Sequence, residues 1–201
     1  HTASGLRPQE VLVVVRHERD LVTTAVAEIA PGARVVDQDE IPGTGRAVQV
    51  ALAAVPDFEG DVVVVSGDVP LLEAETLRAL IASHRSTGAA VTLLSAHLTD
   101  ATGYGRVIRD ADGGVRRIVE EKDATPDEAA VTEINAGVYV FQAAALRTQL
   151  AHVSTANAQG EMYLTDVIGL LRGDDLPVSA TTAADAAVAL GVNDRAQLAE
   201  A

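Results

Sequence analysis

Several short groups of polar residues in this 201-residue chain could carry chemistry, and the sharpest of them follows a run of valines. Asp61 to Val65 (DVVVV) leads into Ser66, Gly67 and Asp68, and Pro70 follows. A carboxylate at the carboxyl end of a buried strand suits Mg²⁺, which takes oxygen ligands and bridges phosphates. The same aspartate could instead cap the next helix or shape a turn. The local pattern leaves both interpretations open.

A glycine-rich turn, Gly43-Thr44-Gly45, stands before a helical pattern. It does not fit the dinucleotide-binding fingerprint, because Val48 occupies the third glycine position and no long strand precedes the turn. Backbone N–H groups at such a turn can still bind an anion or the edge of a base. A plain helix start is the alternative.

An acidic pair, Asp37 and Asp39, flanks Gln38. The pair is similar to that of metal-dependent glycosyltransferases, and it equally suits a solvated turn. Gln38 is the more informative residue, because a side-chain amide both donates and accepts hydrogen bonds and so suits the edge of a pyrimidine base.

Four further polar stretches are candidates for binding. Thr102–Arg106 contains two glycines, which allow backbone to approach a ligand closely. Glu120–Asp123 is a charge run that is typical of a solvated face but follows an apolar strand. Asn135 lies within a predicted strand, where asparagine is disfavoured. Asn157–Asp166 precedes a predicted helix, and its last two residues are candidate N-caps.

Composition excludes several classes of function. The chain has no cysteine, which removes disulfides, thiolate metal sites and cysteine nucleophiles. Its five histidines do not cluster, and no Gly-x-Ser-x-Gly elbow is present. A net charge of −14 speaks against nucleic acid as a partner, although a bound divalent cation can reconcile it with a nucleotide substrate. Short apolar runs and the polar start His1–Glu10 predict a cytoplasmic protein that does not bind membranes.

The elements that must position these residues alternate along the chain. The predicted strands cover residues 10–15, 34–36, 61–65, 90–94, 106–109, 115–119 and 131–141. The predicted helices cover residues 20–29, 43–55, 73–85, 143–152, 164–172 and 194 to the end. This order predicts one α/β domain over residues 1–201, with a mostly parallel Rossmann-like sheet flanked by helices and an antiparallel hairpin excursion around Asp110–Gly114.

The ordered set of motifs resembles the uridylyltransferase domain of the bifunctional N-acetylglucosamine-1-phosphate uridylyltransferase/glucosamine-1-phosphate acetyltransferases, a nucleotide-diphospho-sugar transferase fold. The resemblance covers nearly the whole chain from Val11 onward. The matching pieces are Gln38 with Pro42–Gly45, Ser66–Leu72, Gly103–Arg106, Ile118–Ala124, Glu133–Gly137, Asn157–Glu161 through Asp166, and Gly191–Arg195.

The resemblance implies a role for each matched position. The implied substrate-binding residues are Gln38, Gly43, Thr44, Ser66, Gly67, Gly105, Glu120 and Asn135. Asp68 and Asn193 are the implied catalytic pair, because they would hold the Mg²⁺ that bridges the nucleotide and sugar phosphates. Gln38 would bind uracil, Gly105 the N-acetyl group, and Glu120 and Asn135 the hydroxyl or acetamido groups of the sugar.

The implied reaction is Mg²⁺-dependent uridylyl transfer from UTP to N-acetylglucosamine 1-phosphate, by in-line attack without a protein nucleophile. The first strand and glycine-rich phosphate loop of the family are missing from this chain, and Arg16 stands before His17 where the family has glycine. The acetyltransferase β-helix is absent as well. These departures predict a poorly active, monomeric chain, whereas the parent protein would be a homotrimer.

Three alternatives remain at this stage. One is a pyrophosphorylase for another sugar or nucleotide, and another is a non-catalytic domain with the same fold. The third is a glycosyltransferase that binds its metal at Asp37 and Asp39.

Overall fold

The computed structural model describes residues 2–191. Asn193 and the predicted final helix lie outside the described residues. The strands are β1 (Leu12–Val15), β2 (Arg34–Asp37), β3 (Asp61–Val65), β4 (Val91–His97), β5 (Arg106–Arg109), β6 (Val115–Val119), β7 (Glu133–Gln142) and β8 (Val178–Thr182). The helices are α1 (Arg19–Ile29), α2 (Thr44–Ala53), α3 (Ala74–Thr87), α4 (Pro126–Ala129), α5 (Ala143–Leu150) and α6 (Asp166–Gly173), with short 3₁₀ segments at Ser4–Leu6, Glu121–Asp123 and Ala186–Ala189.

The mixed α/β class is confirmed, and the main sheet contains six strands. Its order is β6-β5-β7-β4-β8, with β3 also paired to β7. β3, β4 and β5 are each antiparallel to β7, and β8 is parallel to β4. Four strands therefore share one direction, while β6 and β7 run against them. The predicted hairpin of β5 and β6 is present at the expected residues.

The pairing around β7 places two strands end to end. β4 pairs along one edge of β7 from Glu133 to Phe141. β3 pairs with residues 138–142 of β7, and β5 meets it at Ile134. Because a strand has only two edges, β3 and β5 must lie in line along the other edge. The carboxyl end of β3 and the amino end of β5 therefore face each other across a short gap beside residues 135–137.

Both faces of the main sheet are covered, as the apolar strands predicted. On one face, α2, α5 and α6 pack with residues such as Leu146 and Ile168, both fully buried. On the other face, α3 contributes Leu77 and Leu80, which are also fully buried. Together these two layers fix the sheet as a rigid base for the loops at the gap.

A second, two-stranded sheet consists of β1 and β2, which pair in parallel from Leu12↔Arg34 to Val15↔Asp37. Helix α2 contacts both strands of this small sheet. The same helix packs through Val48 and Leu52 into the core cluster that includes Val62 and Val64 of β3. α2 therefore connects the small sheet to the main one.

Two elements were not predicted from the sequence. β8 (VSATT) lies at the edge of the sheet, parallel to β4, and its mixed apolar and hydroxyl residues give a weak strand pattern. α4 is a single turn that begins with a capping box, in which Thr125 and Glu128 bond each other's backbone N–H.

Candidate functional site

Three of the predicted site residues converge at the gap between β3 and β5. Ser66 follows β3 directly, and Gly105 stands immediately before β5. Asn135 lies beside the gap in β7, and its backbone N–H donates to the carbonyl of Gly105 at 2.9 Å. The hydroxyl of Ser66 donates to the carbonyl of Gly137 at 3.3 Å. The gap is therefore bordered by the exit of one strand, the entry of another and the middle of a third.

The middle of β7 is irregular at this point. The register between β4 and β7 shifts between Leu93 and Ser95, opposite residues 135–139. Gly137 has a φ of +69°, and a Cβ there would lie 2.7 Å from the Ser66 hydroxyl. Only glycine satisfies both conditions without strain. This bulge interrupts the regular pairing of β7 with β4 between Asn135 and Tyr139.

Glu120 closes the gap from the side of the hairpin. It follows β6, whose last residue, Val119, pairs with Arg106. A methyl group added at Gly105 would lie 3.3 Å from Glu120 Oε2, so the backbone at Gly105 passes directly against this carboxylate. Thr165 donates its hydroxyl hydrogen bond to the other oxygen, Oε1, at 2.8 Å. Burial raises the pKa of Glu120, and the bond from Thr165 opposes that shift.

Asp68 has a different environment from Glu120. Its side chain is exposed and makes no hydrogen bond or ion pair with residues 2–191. It does not cap α3, because that helix begins at Ala74 and has Glu73 at its N-cap position. The capping interpretation of Asp68 is therefore wrong, and its carboxylate remains available to a ligand. Gly67, beside it, is also exposed.

The glycine-rich turn is attached to a distant segment of the chain, Met162–Leu164. Gly45 donates its backbone N–H to the carbonyl of Met162 at 2.7 Å, and Met162 donates its own to Pro42 at 2.9 Å. Leu164 donates its backbone N–H to the hydroxyl of Thr44 at 3.1 Å. Gly43 has a φ of +113°, and a Cβ there would overlap the Met162 backbone, 2.4 Å from its oxygen. We call these contacts the turn clip.

The turn clip corrects part of the prediction for this turn. Its helix start is confirmed, since α2 begins at Thr44. The N–H of Gly45 is already bonded and is not free for a ligand. The N–H groups of Gly43 and Thr44 donate to no acceptor within residues 2–191, so they remain available.

The side chain of Gln38 is hydrogen-bonded to the backbone of this turn. Its side-chain nitrogen donates to the carbonyls of Ile41 at 2.9 Å and Gly43 at 3.2 Å. Its side-chain oxygen accepts no hydrogen bond from the described part of the chain. Gln38 therefore presents an acceptor next to the free N–H groups of Gly43 and Thr44.

The acidic pair on either side of Gln38 is neutralised by arginines. Asp37 accepts two hydrogen bonds from Arg19, at 2.6 and 3.2 Å. Asp39 accepts from Arg46, including a 3.0 Å bond from Nε to Oδ1. These arginines hold the pKa of each aspartate below its usual value. A guanidinium on each carboxylate disfavours a metal ion at this pair.

Two residues of the site were missed as functional groups from the sequence. Thr165 occupies the N-cap position of α6, as one interpretation predicted, but its hydroxyl bonds Glu120 and makes no cap hydrogen bond. Tyr139 is buried in β7, four residues after Asn135, and accepts a hydrogen bond from the Asn135 amide. A threonine before a helix and a tyrosine in a strand follow ordinary propensities, so no local signal marked either one.

No group of three or more His, Cys, Asp or Glu side chains within residues 2–191 is arranged to hold a metal ion. Of the predicted metal pair, only Asp68 is described. None of the described helices is both long and apolar enough to cross a bilayer.

Both the sequence and the fold of this chain are similar to those of known proteins. The sequence matches the nucleotidyl transferase family over residues 2–186, and the chain belongs to that family. Two solved structures share the fold at low identity. They are HddC from Yersinia pseudotuberculosis complexed with GMP-PN (TM-score 0.62, 15% identity, 90% of this chain and 73% of that one) and UDP-glucose pyrophosphorylase complexed with UDP-glucose (TM-score 0.62, 14% identity, 85% and 72%).

Within the family, the chain is most informatively compared with proteins named bifunctional protein GlmU. It is 58% identical over 201 residues to that of Leifsonia xyli subsp. xyli, covering all of this chain and 41% of the relative. It is 49% identical over 205 residues to that of Corynebacterium efficiens, covering all of this chain and 42% of the relative. The chain thus spans about two fifths of the length of these relatives.

Proposed function

We propose that the protein transfers a uridylyl group from UTP to N-acetylglucosamine 1-phosphate. A phosphate oxygen of the sugar phosphate attacks the α-phosphorus of UTP, and the bond from that phosphorus to the bridging oxygen of the β-phosphate breaks. UDP-N-acetylglucosamine forms and pyrophosphate leaves. The protein supplies positioning and charge neutralisation, and no side chain forms a covalent intermediate.

The observation that carries this proposal is the convergence of Gly105, Glu120 and Asn135 at one gap in the sheet. Glu120 Oε1 accepts from Thr165, which leaves Oε2 as an acceptor for a sugar hydroxyl. Asn135 can still donate one N–H, and its oxygen can still accept one bond. A pocket with one carboxylate, one amide and a close-approaching backbone suits an acetamido sugar.

The nucleotide side is the turn around Gln38 and Gly43. The free oxygen of Gln38 can accept from the N3–H group of uracil, and the free N–H groups of Gly43 and Thr44 can donate to its carbonyl oxygens. Cytosine has no hydrogen at N3, so this arrangement favours uracil over cytosine. The turn clip holds this surface against the segment that continues to Thr165.

Mg²⁺ is the cofactor that we propose, held by Asp68 and Asn193. The exposed carboxylate of Asp68, unbonded within residues 2–191 and beside the gap, has the chemistry of a Mg²⁺ ligand. An asparagine oxygen is a second suitable donor, although Asn193 lies outside the described residues. When bound, the ion would neutralise charge on the phosphates of both substrates. Asp68 would anchor it next to Ser66 and Gly67, where the sugar phosphate leaves the gap.

We further propose that one more strand lies between β1 and β3 and carries the loop that holds the triphosphate. Within residues 2–191, β1 pairs only with β2, and β3 pairs only with β7. Helix α2 contacts β1 and also packs into the core cluster that includes residues of β3, so it lies next to the position between these two strands. Mass spectrometry of the protein from its natural source should give a mass above that of the 201 residues. A matching mass would remove this part of the proposal.

The relatives are called bifunctional and are more than twice as long as this chain. We propose that the natural protein likewise joins this nucleotidyltransferase domain to an acetyltransferase β-helix, assembles as a homotrimer and works in the cytoplasm in cell-wall synthesis. Light scattering on the full-length protein measures the assembly, and a monomeric mass would contradict it.

The deciding experiment measures pyrophosphate release by the full-length protein with Mg²⁺, UTP and N-acetylglucosamine 1-phosphate. Glucose 1-phosphate, and GTP or ATP, are tested in parallel to separate the proposed substrates from those of other pyrophosphorylases. Asp68→Ala should lower kcat by at least about a hundredfold, because it removes a metal ligand needed in the transition state. Its melting temperature should not change, because the exposed side chain makes no hydrogen bond or ion pair within the described residues.

Asp57→Ala is the matched control, since Asp57 is equally exposed but lies at the opposite end of β3. It should keep wild-type kcat. Turnover by Asp68→Ala at the wild-type rate would contradict the metal role. No turnover by the wild-type protein with any of these substrates would favour a non-catalytic domain.

A further inference from the structure

The side-chain amide of Asn135 is held at both ends. Its nitrogen donates to the hydroxyl oxygen of Tyr139 at 2.6 Å. Its oxygen accepts from the backbone N–H of Gly137 at 3.2 Å. An amide that rotated about its last bond would point its nitrogen at the N–H of Gly137 and lose that hydrogen bond. The Tyr139 hydroxyl can donate as well as accept, so Gly137 selects the orientation of the amide and Tyr139 holds the amide in place.

Tyr139 is suited to act as the fixed end of this contact. Its side chain is only 3% exposed, and its ring lies 5.5 Å from that of Phe141. It belongs to the core cluster that contains Met162 and Leu164, which form the turn clip. Burial raises the pKa of Tyr139, which favours the neutral phenol. Its tightly packed hydroxyl oxygen accepts from the Asn135 amide.

We infer that Tyr139 is a positioning residue for sugar recognition: it holds the Asn135 amide, in the orientation that Gly137 selects, so that one N–H and one oxygen lone pair face the substrate. This inference rests on the proposed function, because it assigns a purpose to an amide in the sugar site. A buried tyrosine that merely fills the core also needs a hydrogen-bond partner for its hydroxyl, so the contact is compatible with both roles. The two roles differ in which measurement responds when only the hydroxyl is removed.

Tyr139→Phe removes that oxygen and keeps the ring. In the full-length protein we expect KM for N-acetylglucosamine 1-phosphate to rise about three- to tenfold, the value of one hydrogen bond that orders a binding group. KM for UTP should change less than about twofold, because Tyr139 makes no hydrogen bond to Gln38 or Gly43. Adding Tyr139→Phe to Asn135→Ala should have no further effect, since the group that it orders is already gone.

A second readout does not depend on activity. In the NMR spectrum, the two Nδ2 protons of Asn135 should have well-separated shifts in the wild-type protein, because one of them bonds Tyr139. They should move closer together in Tyr139→Phe. Unchanged Asn135 signals would overturn the inference whatever the enzyme does, whereas the absence of wild-type turnover would contradict only the proposed function.

Thr92→Val is the matched control, because it also deletes a buried hydroxyl from the sheet. Thr92 lies in β4 and contacts His84 Nδ1 at 3.1 Å, away from the sugar site. It should lower the melting temperature and leave both KM values unchanged. If Tyr139→Phe behaves in the same way as Thr92→Val, Tyr139 is only a core residue and the inference is wrong.

Discussion

The two sides of the proposed site are built differently. On the sugar side, Glu120 and Asn135 are bonded to Thr165, Tyr139 and Gly137 before any ligand arrives. On the phosphate side, the Asp68 carboxylate is exposed and bonded to nothing within residues 2–191. A neutral sugar is recognised by geometry, which requires fixed donors and acceptors. A metal–phosphate group supplies its own strong charge and needs an open carboxylate more than a rigid pocket.

The turn clip connects the nucleotide turn to the sugar side through the segment that continues to Thr165, and its failure should have the largest effect on stability. Gly43→Ala forces a side chain into a left-handed backbone conformation and against the Met162 carbonyl. We expect the free energy of unfolding to fall by about 3 kcal/mol, the upper end of the usual cost of such strain. Chemical denaturation measures it. Gly32→Ala is the control, because its Cβ would meet nothing within 4 Å, and it should be nearly neutral. Equal losses in both variants would show that the clip is not a close contact.

A second variant tests a hydrogen bond of the turn clip without adding backbone strain. Thr44→Val keeps the shape of the side chain but leaves the N–H of Leu164 without its acceptor. The free energy of unfolding should fall by about 1–3 kcal/mol, as expected for one unsatisfied N–H group. Hydrogen exchange at the Leu164 amide should become faster.

Thr148→Val is the control for Thr44→Val, because the exposed Thr148 hydroxyl bonds only the carbonyl of Ala144 in its own helix. Its effect should be much smaller. Unchanged exchange at Leu164 in Thr44→Val would mean that the nucleotide turn and the segment before Thr165 are not joined through this bond.

The smallest expected change is a gain in stability. Burial raises the pKa of Glu120 above its unfolded value of 4.5, so the charged form costs stability above that pH. Glu120→Gln should therefore raise the melting temperature at pH 7.5 by a few degrees. The difference should shrink as the pH falls below the pKa of the unfolded carboxyl, because the wild-type side chain is then protonated in both states. Sugar binding should weaken in the same variant, because the carboxylate acceptor is lost.

Asp68→Asn is the corresponding test for an exposed carboxylate, to be compared with Glu120→Gln. Its melting temperature should stay at the wild-type value, since the exposed side chain has no hydrogen bond or ion pair to lose within the described residues. A stabilised Asp68→Asn variant would show that the two carboxylates do not differ as the structure indicates.

Strand and helix positions followed the sequence closely where the pattern was strong. The valine run of β3 and the two strands of the hairpin were predicted at their observed bounds, because continuous apolar or alternating residues leave few other conformations. β8 was missed because VSATT gains its strand conformation from pairing with β4, a contact that local residues do not encode. The short turn of α4 was missed although Thr125 and Glu128 form a recognisable capping box.

In the candidate site, the sequence shows which residue types are present, and the structure shows which groups each side chain contacts. The motifs around Asp68, Gly105, Glu120 and Asn135 were visible in the chain, and so was their resemblance to one family. Tyr139 and Thr165 could not be recognised as site residues from the sequence, because each acts through a contact with another side chain. Thr165 bonds Glu120, which is distant in the chain, and Tyr139 bonds Asn135 across the irregular part of β7.

The sequence by itself determined the class of fold, the candidate polar groups and the absence of cysteine chemistry, since these depend on composition and on local periodicity. Only the tertiary structure decided that β3 and β5 lie in line along β7, which creates the gap where Ser66, Gly105 and Asn135 meet. It also decided that Asp37 and Asp39 are paired with arginines, whereas Asp68 has no partner among the described residues. Strand order and charge pairing depend on contacts between residues distant in the chain, and no local pattern specifies such contacts.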